Sequence, residues 1–469
     1  MNSLVPLSRE QVTLLVKEAP EAVVNLVMVM QEQIAELRAE VRRLQERVAE
    51  LEEQNRPPSA PFRRREEQRK ATPKKPGRAP GHPGSYRRVP EVVDEQIEVP
   101  LPCCPHCAGA LDKLTPVEQW IEELLPATPH ITHLTTYEGY CSHCEKLVQS
   151  RHPRQMSRAS GCAGVQLGAR AVAIAAELKH GLGLTLRKTC RTLSLMGGLH
   201  VSPGGLAQAF QRAAAKIADE EDKLRMQILR APVVHADETS WWQNGPCSLW
   251  VFTTPESPKQ MATTLYRVVA HRDRATLQSI IPPDWPGLLV SDCLAVYDTA
   301  TARQHKCYAH HLRALKTARR DENPQAGAAE PWLEKAGAFF KAAMELKERQ
   351  PRLDATECAA QRAILETRAN ELFKTERSDP AQERFRRRIA KQRDHLLAFL
   401  DEPVADATNN LAERQLRPAV IARKLSCGNK TARGSAAWQA LASFAATCNQ
   451  RSSDLTAFLA PFLTLSPAG

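Results

Sequence analysis

The sequence predicts a multidomain protein of mixed α+β and α/β class, because three patterns typical of different structures follow one another along the chain. A heptad repeat near the N-terminus indicates a coiled coil. Two Cys-x-x-Cys pairs indicate a small metal-binding module. Apolar runs that end in acidic residues, alternating with helical segments, indicate a sheet covered by helices. With 469 residues, the chain is long enough for about three domains.

The first element is a predicted coiled coil within residues 1–56. Apolar residues recur at alternating spacings of three and four, which is the repeat of a coiled coil. The a positions are β-branched and most d positions are Leu, which favours a parallel dimer. We expect a homodimer or higher oligomer, although one helix packed on its own domain would leave the same pattern. The seam is Met30, Ile34, Leu37, Val41, Leu44, Val48 and Leu51.

The second segment, 57–90, is rich in Pro, Gly, Lys and Arg and nearly free of acidic residues. Such a composition forbids a regular element and cannot bury apolar surface. We expect a basic arm that lies along nucleic-acid phosphates through Lys74, Lys75 and Arg78. A solvated linker explains the composition equally well.

A small module is predicted over 91–155. Cys104 and Cys107 form one Cys-x-x-Cys pair, and Cys141 and Cys144 form another after 33 intervening residues. Each pair can supply two thiolates to one tetrahedral Zn²⁺, and the alternating segments between them suggest the strands of a zinc ribbon. Four protein ligands leave no open position, so we expect a structural metal. Cys103 is an alternative ligand, and four unrelated thiols are the alternative to a site.

Residues 156–228 are predicted to be helical. Two helices separated by a Gly-Gly pair, with Ser202 as N-cap of the second, have the form of a helix-turn-helix that could read DNA. Ordinary core helices would give the same sequence pattern, so both interpretations stay open.

The next segment, 229–425, is predicted to be α/β, with a helical insertion over about 320–400 and a further helical region at 426–469. Asp237 and Asp292 each end an apolar run, and Glu413 lies in the first turn of a helix that Asn409 or Asn410 would cap. Converging carboxylates of this kind are what two Mg²⁺ ions about 4 Å apart require for phosphodiester chemistry. Glu238 should point to the opposite face of its strand, while Asp273 and Asp298 remain competing acids.

The composition narrows the class of partner. A net charge of +11 favours a polyanion, and no apolar run is long enough for a membrane span. The N-terminus lacks the pattern of a secretion signal, and thirteen cysteines without such a signal indicate reduced thiols. We expect a cytoplasmic, nucleoid-associated protein with no membrane partner.

Four motifs follow one another along the chain in this order: HADETSWWQNG, LLVSDCLAVYD, CYAHHLRAL and TNNLAERQLRPAVIARKLSCG. Together with the KKPGRAPGHPGS arm, the CPHC and CSHC pairs and the heptads, they make the chain resemble the insertion-sequence-66 family of DDE transposases. The resemblance covers nearly the whole chain. It departs from the family pattern at Cys427, where an aromatic residue is common, and at the Cys103–Cys104 doublet.

The resemblance implies an RNase H-like catalytic core whose acids fall on Asp237, Asp292 and Glu413. It implies cleavage of the element ends with Mg²⁺ (or Mn²⁺) and joining of the 3′-OH to target DNA, so both DNAs are partners. Small accessory proteins of the same element are also implied. A non-catalytic DNA-binding regulator and an RNase H-like nuclease without strand joining remain the alternatives.

Basic residues near Glu413 are candidates for neutralising DNA phosphates. They share its helix or lie just beyond, and a solvated basic face is the competing explanation for each. His235, His310, Trp241 and Trp242 have weaker claims, because buried core positions suit them equally well. The candidate phosphate ligands are Arg414, Arg417, Arg423 and Lys424.

Overall fold

The computed structural model describes residues 8–55, 88–112, 114–124, 127–157, 164–258, 260–300, 303–329 and 331–464. The predicted phosphate ligands Lys74, Lys75 and Arg78 lie outside these ranges. The chain divides into two units, Met1–Glu122 and Glu123–Gly469, and each is described by itself. Within the described ranges, no helix is both long and apolar enough to cross a membrane.

The first unit contains helices α1 (Arg9–Glu18) and α2 (Pro20–Asn55). Pro20 opens α2, where its missing N–H costs no helical hydrogen bond. The predicted heptad segment is therefore one continuous helix. Its apolar seam is exposed in the single chain, for example Leu37 at 65% and Val41 at 52%. The side chains of Val48 and Leu51 lie outside the described set.

The strands predicted for the module at 91–155 form only in part, because the described residues of 91–101 and 120–137 have no strand while Glu138–Cys141 and Lys146–Gln149 do. Alternating apolar residues build a strand only when a partner covers them, and here Val99 and Ile121 are 85% and 90% exposed. Prolines at 100, 102 and 129 also remove ladder donors. The second unit begins its pairing with a hairpin of β1 (Glu138–Cys141) and β2 (Lys146–Gln149).

Helices α3 (Ala169–Ala176), α4 (Leu186–Gly197), α5 (Pro203–Lys216) and α6 (Ala218–Arg230) follow. The side chain of Ser202 accepts a hydrogen bond from the Gly205 N–H at 3.1 Å, which confirms the predicted N-cap. The inner face of α5, including Leu206 and Phe210, is buried in the main core. Core packing thus accounts for this helix pair, and DNA reading by it stays a prediction.

A five-stranded mixed sheet forms the centre of the second unit. Its strands are β3 (Val233–Trp242), β4 (Pro246–Thr254), β5 (Thr263–Val269), β6 (Leu288–Ser291) and β7 (Arg303–Lys306). Their order is β5-β4-β3-β6-β7, with β3, β4 and β5 antiparallel and β6 and β7 parallel to β3. Helix α7 (Arg274–Ile280) links β5 to β6.

The predicted helical insertion lies between β7 and the last acidic motif. It consists of α8 (Tyr308–Asp321), α9 (Pro324–Ala329), α10 (Trp332–Arg349), α11 (Ala355–Lys374) and α12 (Pro380–Lys391). Its apolar core includes Val233, Leu288 and Val290, so these helices cover one face of the sheet. Leu289 and Ala236 pack into the other core, with α3 to α6.

The chain ends in α13 (Asn410–Ser426), α14 (Ala432–Gln450) and α15 (Leu455–Leu463). Helix α14 packs along the edge strand β5. Polar side chains of α14 accept hydrogen bonds from alternate backbone N–H groups of that strand, which leaves these donors satisfied. The pairs are Gln439 with Val268 at 3.1 Å, Ser443 with Tyr266 at 2.9 Å and Thr447 with Thr264 at 3.0 Å.

Candidate active site

Two aspartates occupy equivalent positions on neighbouring parallel strands. His235 of β3 pairs with Val290 of β6, and the same register two residues further places Asp237 opposite Asp292. Neighbouring strands lie about 5 Å apart. Since side chains alternate along a strand, both carboxylates leave the sheet on the face that the helical insertion covers.

Asp292 directly follows its strand as predicted, but the expectation that Asp237 ends its strand is wrong. Parallel pairing with β6 ends at His235, whereas antiparallel pairing with β4 continues to Trp242. The hairpin partner therefore extends β3 by five residues beyond Asp237.

Glu413 comes to the same place because Asn409 attaches the start of α13 to β3. The Asn409 side chain donates to the carbonyl of Ala236 at 2.8 Å and lies 3.2 Å from Nδ1 of His235. Its backbone N–H donates to the Cys307 sulfur at 3.1 Å. The predicted capping is wrong in detail, because Asn409 holds the N-cap position but its side chain bonds the strand and not the helix.

Asp237 lies within electrostatic range of the two other acids. Burial, together with the charges of Glu238, Asp292 and Glu413, raises the pKa of Asp237 to about 7. A buried carboxylate surrounded by others is unfavourable unless a proton or a cation neutralises it. Among the described residues, however, no group of three or more His, Cys, Asp or Glu side chains is arranged to hold a metal ion.

The competing acids are engaged elsewhere. Glu238 lies on the other face, as predicted, where the Tyr297 hydroxyl donates to its Oε2 at 2.6 Å. Asp298 lies 3.3 Å from Nζ of Lys306 and 2.7 Å from Nζ of Lys391. Asp273 accepts a hydrogen bond from the Thr276 N–H at 2.8 Å as the N-cap of α7.

Of the two histidines considered from sequence, His235 is a core residue. Burial lowers its pKa to about 4, although the hydrogen bond to Asn409 opposes this shift. His310, in the first turn of α8, has a buried Nδ1 with no hydrogen-bond partner among the described residues. Burial and Arg313 lower the pKa of His310, while Asp292 and Glu413 raise it, so the imidazole lies within electrostatic range of both acids.

Sequence reasoning missed two cations beside the acids. Lys306, at the end of β7, is fully buried, and its Nζ lies 3.4 Å from Oγ of Ser291. Arg388 of α12 lies beside Cys293, the residue that follows Asp292. Nothing in the sequence near either residue marks it, since a Lys at a strand end and an Arg in a charged helix are ordinarily solvated.

The predicted phosphate ligands on α13 fall into two groups. Arg414, Arg417 and Lys424 are exposed. Arg423 is only partly exposed, and its Nη1 donates to Thr239 at 3.0 Å and to Ser240. The first three are free to meet DNA, whereas Arg423 joins α13 to β3.

The loop after α13 is tied to the far end of β3. The Asn429 N–H donates to the Trp242 carbonyl at 2.8 Å, and Trp241 Nε1 donates to Asn429 Oδ1 at 3.1 Å. Gly428 has φ +89°, and a Cβ there would lie 2.3 Å from the Trp242 carbonyl oxygen. Trp241 is buried against Trp438, as its core interpretation predicts, while Trp242 is 49% exposed.

The two Cys-x-x-Cys turns have the same local geometry, each within its own unit. Backbone amides of His106 and Cys107 lower the pKa of the Cys104 thiol, and those of Cys144 and His143 lower the pKa of the Cys141 thiol. Amides that converge on a sulfur favour the thiolate, which is the form that binds zinc.

A model described as the Transposase IS66 family matches residues 164–437, which is more than half of the chain. The chain belongs to the IS66 transposase family. A comparison with curated proteins found no match. The IS66 match spans Asp237, Asp292 and Glu413 and the whole five-stranded sheet, and it places the chain among enzymes that process nucleic acid. The heptad helix and the four zinc-ligand candidates lie outside the matched residues.

Proposed function

We propose that this chain is a DNA transposase of a bacterial insertion sequence. It binds the terminal inverted repeats, cleaves the element ends and joins the freed 3′-OH to target DNA. The proposal is supported by the register that places Asp237 and Asp292 on neighbouring parallel strands, with Glu413 within electrostatic range of Asp237. The five-stranded mixed sheet, covered by helices on both faces, supports an RNase H-like core.

The three acids fit Mg²⁺ or Mn²⁺ by their chemistry. They are oxygen donors, which both ions prefer, and the raised pKa of Asp237 reflects negative charge that a cation would neutralise. When bound, the ions would activate the attacking oxygen and stabilise the leaving oxygen of the phosphodiester. The chain itself fixes the acids: β3 and β6 set the spacing of the aspartates, and Asn409 sets the start of the helix of Glu413.

Exposed cations on α13 provide the DNA contacts in this proposal. Arg414, Arg417 and Lys424 are accessible on the helix that carries Glu413, so they would meet the backbone on either side of the cut. Contacts of this kind fix the register of the duplex without reading its sequence. Lys74, Lys75 and Arg78 of the basic arm would add affinity that falls with salt. Arg423 has a different role, because it bonds β3.

The proposal is tested by cleavage and joining assays. The substrate is a duplex that carries the inverted repeat flanking the gene. Asp237→Ala, Asp292→Ala and Glu413→Ala should each lower cleavage by on the order of a thousandfold, without additivity. DNA binding should persist. Asp273→Asn is the matched control and should cleave normally. Glu413→Gln with wild-type turnover in Mg²⁺ would remove Glu413 from the site, and Asp406 would be examined next.

The same assay separates the alternative functions. A regulator would bind the repeat without cutting it, and a nuclease would cut without joined product. Either result with the wild-type protein would overturn the proposal.

We also propose that Cys104, Cys107, Cys141 and Cys144 hold a structural Zn²⁺, supported by the amides that favour thiolates at Cys104 and Cys141. Purified protein should contain about one zinc per chain. Cys104→Ser or Cys144→Ser should release it and weaken binding to the repeat, because metal binding and folding of such modules are coupled. Cys103→Ser is the control and should retain the metal. Zinc-free reduced protein with full DNA binding would contradict this site.

A further inference from the structure

Helix α12 of the insertion brings a guanidinium to the acidic site. This helix packs against α8, whose first turn holds His310. Arg388 of α12 lies beside the Cys293 thiol. Burial raises the pKa of that thiol, and the charge of Arg388 and a hydrogen bond from it oppose the rise. The Cys293 sulfur lies 3.9 Å from Nε2 of His311 in α8, and Ile389, next to Arg388, belongs to the core that covers the face of the sheet on which the two aspartates lie. Arg388 therefore reaches that face.

Arg388 differs from the other arginines of its helix. Arg386 and Arg387 both pair with Glu383, each at 2.7 Å, and Arg384 lies 3.7 Å from Asp321. The Nε of Arg388 is buried and has no hydrogen-bond partner in the described part of the chain. A buried donor without a partner is unfavourable. A bound anion that accepts a hydrogen bond from this Nε would therefore explain the position of Arg388.

The surroundings of Arg388 indicate which anion fits. His310 lies within electrostatic range of Arg388, Asp292 and Glu413. Two acids, an imidazole and the guanidinium of Arg388 therefore lie near one another, and the Nε of Arg388 has no hydrogen-bond partner among the described residues. A DNA phosphate entering this site would meet acids that need a cation and a guanidinium whose planar fork matches two phosphate oxygens.

We propose that Arg388 contacts the non-bridging oxygens of the phosphodiester that is cut. This inference rests on the proposed function and assigns its substrate contact to the helical insertion. Negative charge on those oxygens is stabilised during phosphoryl transfer by fixed cations placed in advance. The insertion thus supplies a residue of the reaction centre in addition to covering the sheet.

A double-mutant cycle tests the contact. Binding is measured in Ca²⁺ to the repeat duplex with its normal phosphate and to one with an uncharged methylphosphonate at the cut position. Wild-type protein should lose affinity about tenfold on the neutral duplex. Arg388→Ala should bind both duplexes alike, because this variant lacks the guanidinium that would contact the charged phosphate. Arg387→Ala, next in the chain and paired with Glu383, should behave as wild type.

Cleavage of the normal duplex gives a second readout. Arg388→Ala should lower the rate by on the order of a hundredfold. Arg388→Lys keeps the charge without the fork, so it should recover binding to the charged duplex and only part of the rate. If the Ala variant fails to fold, the Lys variant tests the contact in its place. Equal loss of affinity on both duplexes in the Ala or the Lys variant would overturn the role of Arg388 alone. Failure of the wild-type protein to cut any repeat duplex would overturn the proposed function and this inference with it.

Discussion

The surroundings of Asp237 disfavour the charged form of its carboxyl group. Burial and three neighbouring carboxylates raise its pKa to about 7, while the N–H of Glu238 donates to its Oδ1 at 2.9 Å and favours the charged form. An acid whose pKa is higher in the folded than in the unfolded state binds more protons when folded. Its contribution to stability is greatest below its ordinary pKa and is lost as the pH rises towards the raised value.

We therefore expect the stability of the metal-free wild-type protein to fall between about pH 4 and pH 7 through this group. Asp237→Asn removes the titration, so at pH 8 the variant should be more stable than wild type by a few kcal/mol. The difference should shrink at pH 5 and when Mg²⁺ is added. Thermal denaturation with and without Mg²⁺ measures this. A variant less stable than wild type at pH 8 without Mg²⁺ would be incompatible with the raised pKa.

At this scale the sequence predicts acids better than cations. Asp237 and Asp292 follow apolar runs, and that placement together with the family resemblance selects them from the other acids. Arg388 stands in the run RFRRRIAK, where four arginines look equivalent. Three pair with acids of the insertion, and only contact with Cys293 distinguishes the fourth. Such a distinction depends on tertiary contacts, which the spacing along a helix does not contain.

At the scale of elements, one side-chain amide attaches α13 to the sheet. Asn409 is fully buried and bonds both Ala236 and His235. The sequence indicated a helix start here, but not that the amide would bond the neighbouring strand in place of its own helix. Glu413 follows one turn further along the helix and lies within electrostatic range of Asp237.

Asn409→Ala should lower the free energy of unfolding by about 1–3 kcal/mol, because it leaves buried groups of β3 without partners. It should also reduce cleavage, since the start of the helix of Glu413 is no longer fixed. Asn410→Ala, at an exposed position one residue later, should change stability by less than about 0.5 kcal/mol. Denaturant unfolding and the cleavage assay check both. Equal effects of the two variants would contradict the role of Asn409.

The strands also show where the local pattern of apolar residues predicts a strand correctly and where it does not. The predicted apolar runs in 232–292 became β3 to β6, because each finds a neighbour and two helical layers to cover it. The alternating segments before Cys141 have the same local pattern, but among their described residues only β1 pairs with another strand. Pairing is a long-range property, so alternation alone overpredicts strands in a proline-rich stretch.

For the whole molecule, the heptad helix is the feature that a single chain leaves unexplained. Its seam is apolar, yet Met30, Ile34, Leu37, Val41 and Leu44 are all exposed. Exposed apolar stripes at this repeat are ordinarily covered by another helix. We propose that a second copy of the chain covers the seam, since that copy would supply a matching stripe, and a dimer would suit the proposed pairing of two DNA ends.

Deletion of residues 1–55 should therefore lower the oligomeric state and abolish complexes that contain two repeat duplexes. Leu37→Glu should weaken association, because it places a charge in the seam, whereas Glu36→Ala, beside it, should not. Light scattering and gel analysis of paired-end complexes measure these outcomes. A deleted protein that remains a dimer and pairs ends would assign association to another part of the chain.

The hydrogen bonds between α14 and β5 have a consequence for the timing of synthesis. β5 leaves the ribosome long before α14, so the N–H groups of Thr264, Tyr266 and Val268 stay uncovered until Thr447 has been made. During that interval the nascent sheet has an open edge that other strands can join. Chains truncated before α14 should therefore aggregate, and an interrupted translation product would be removed from solution before it could act on DNA.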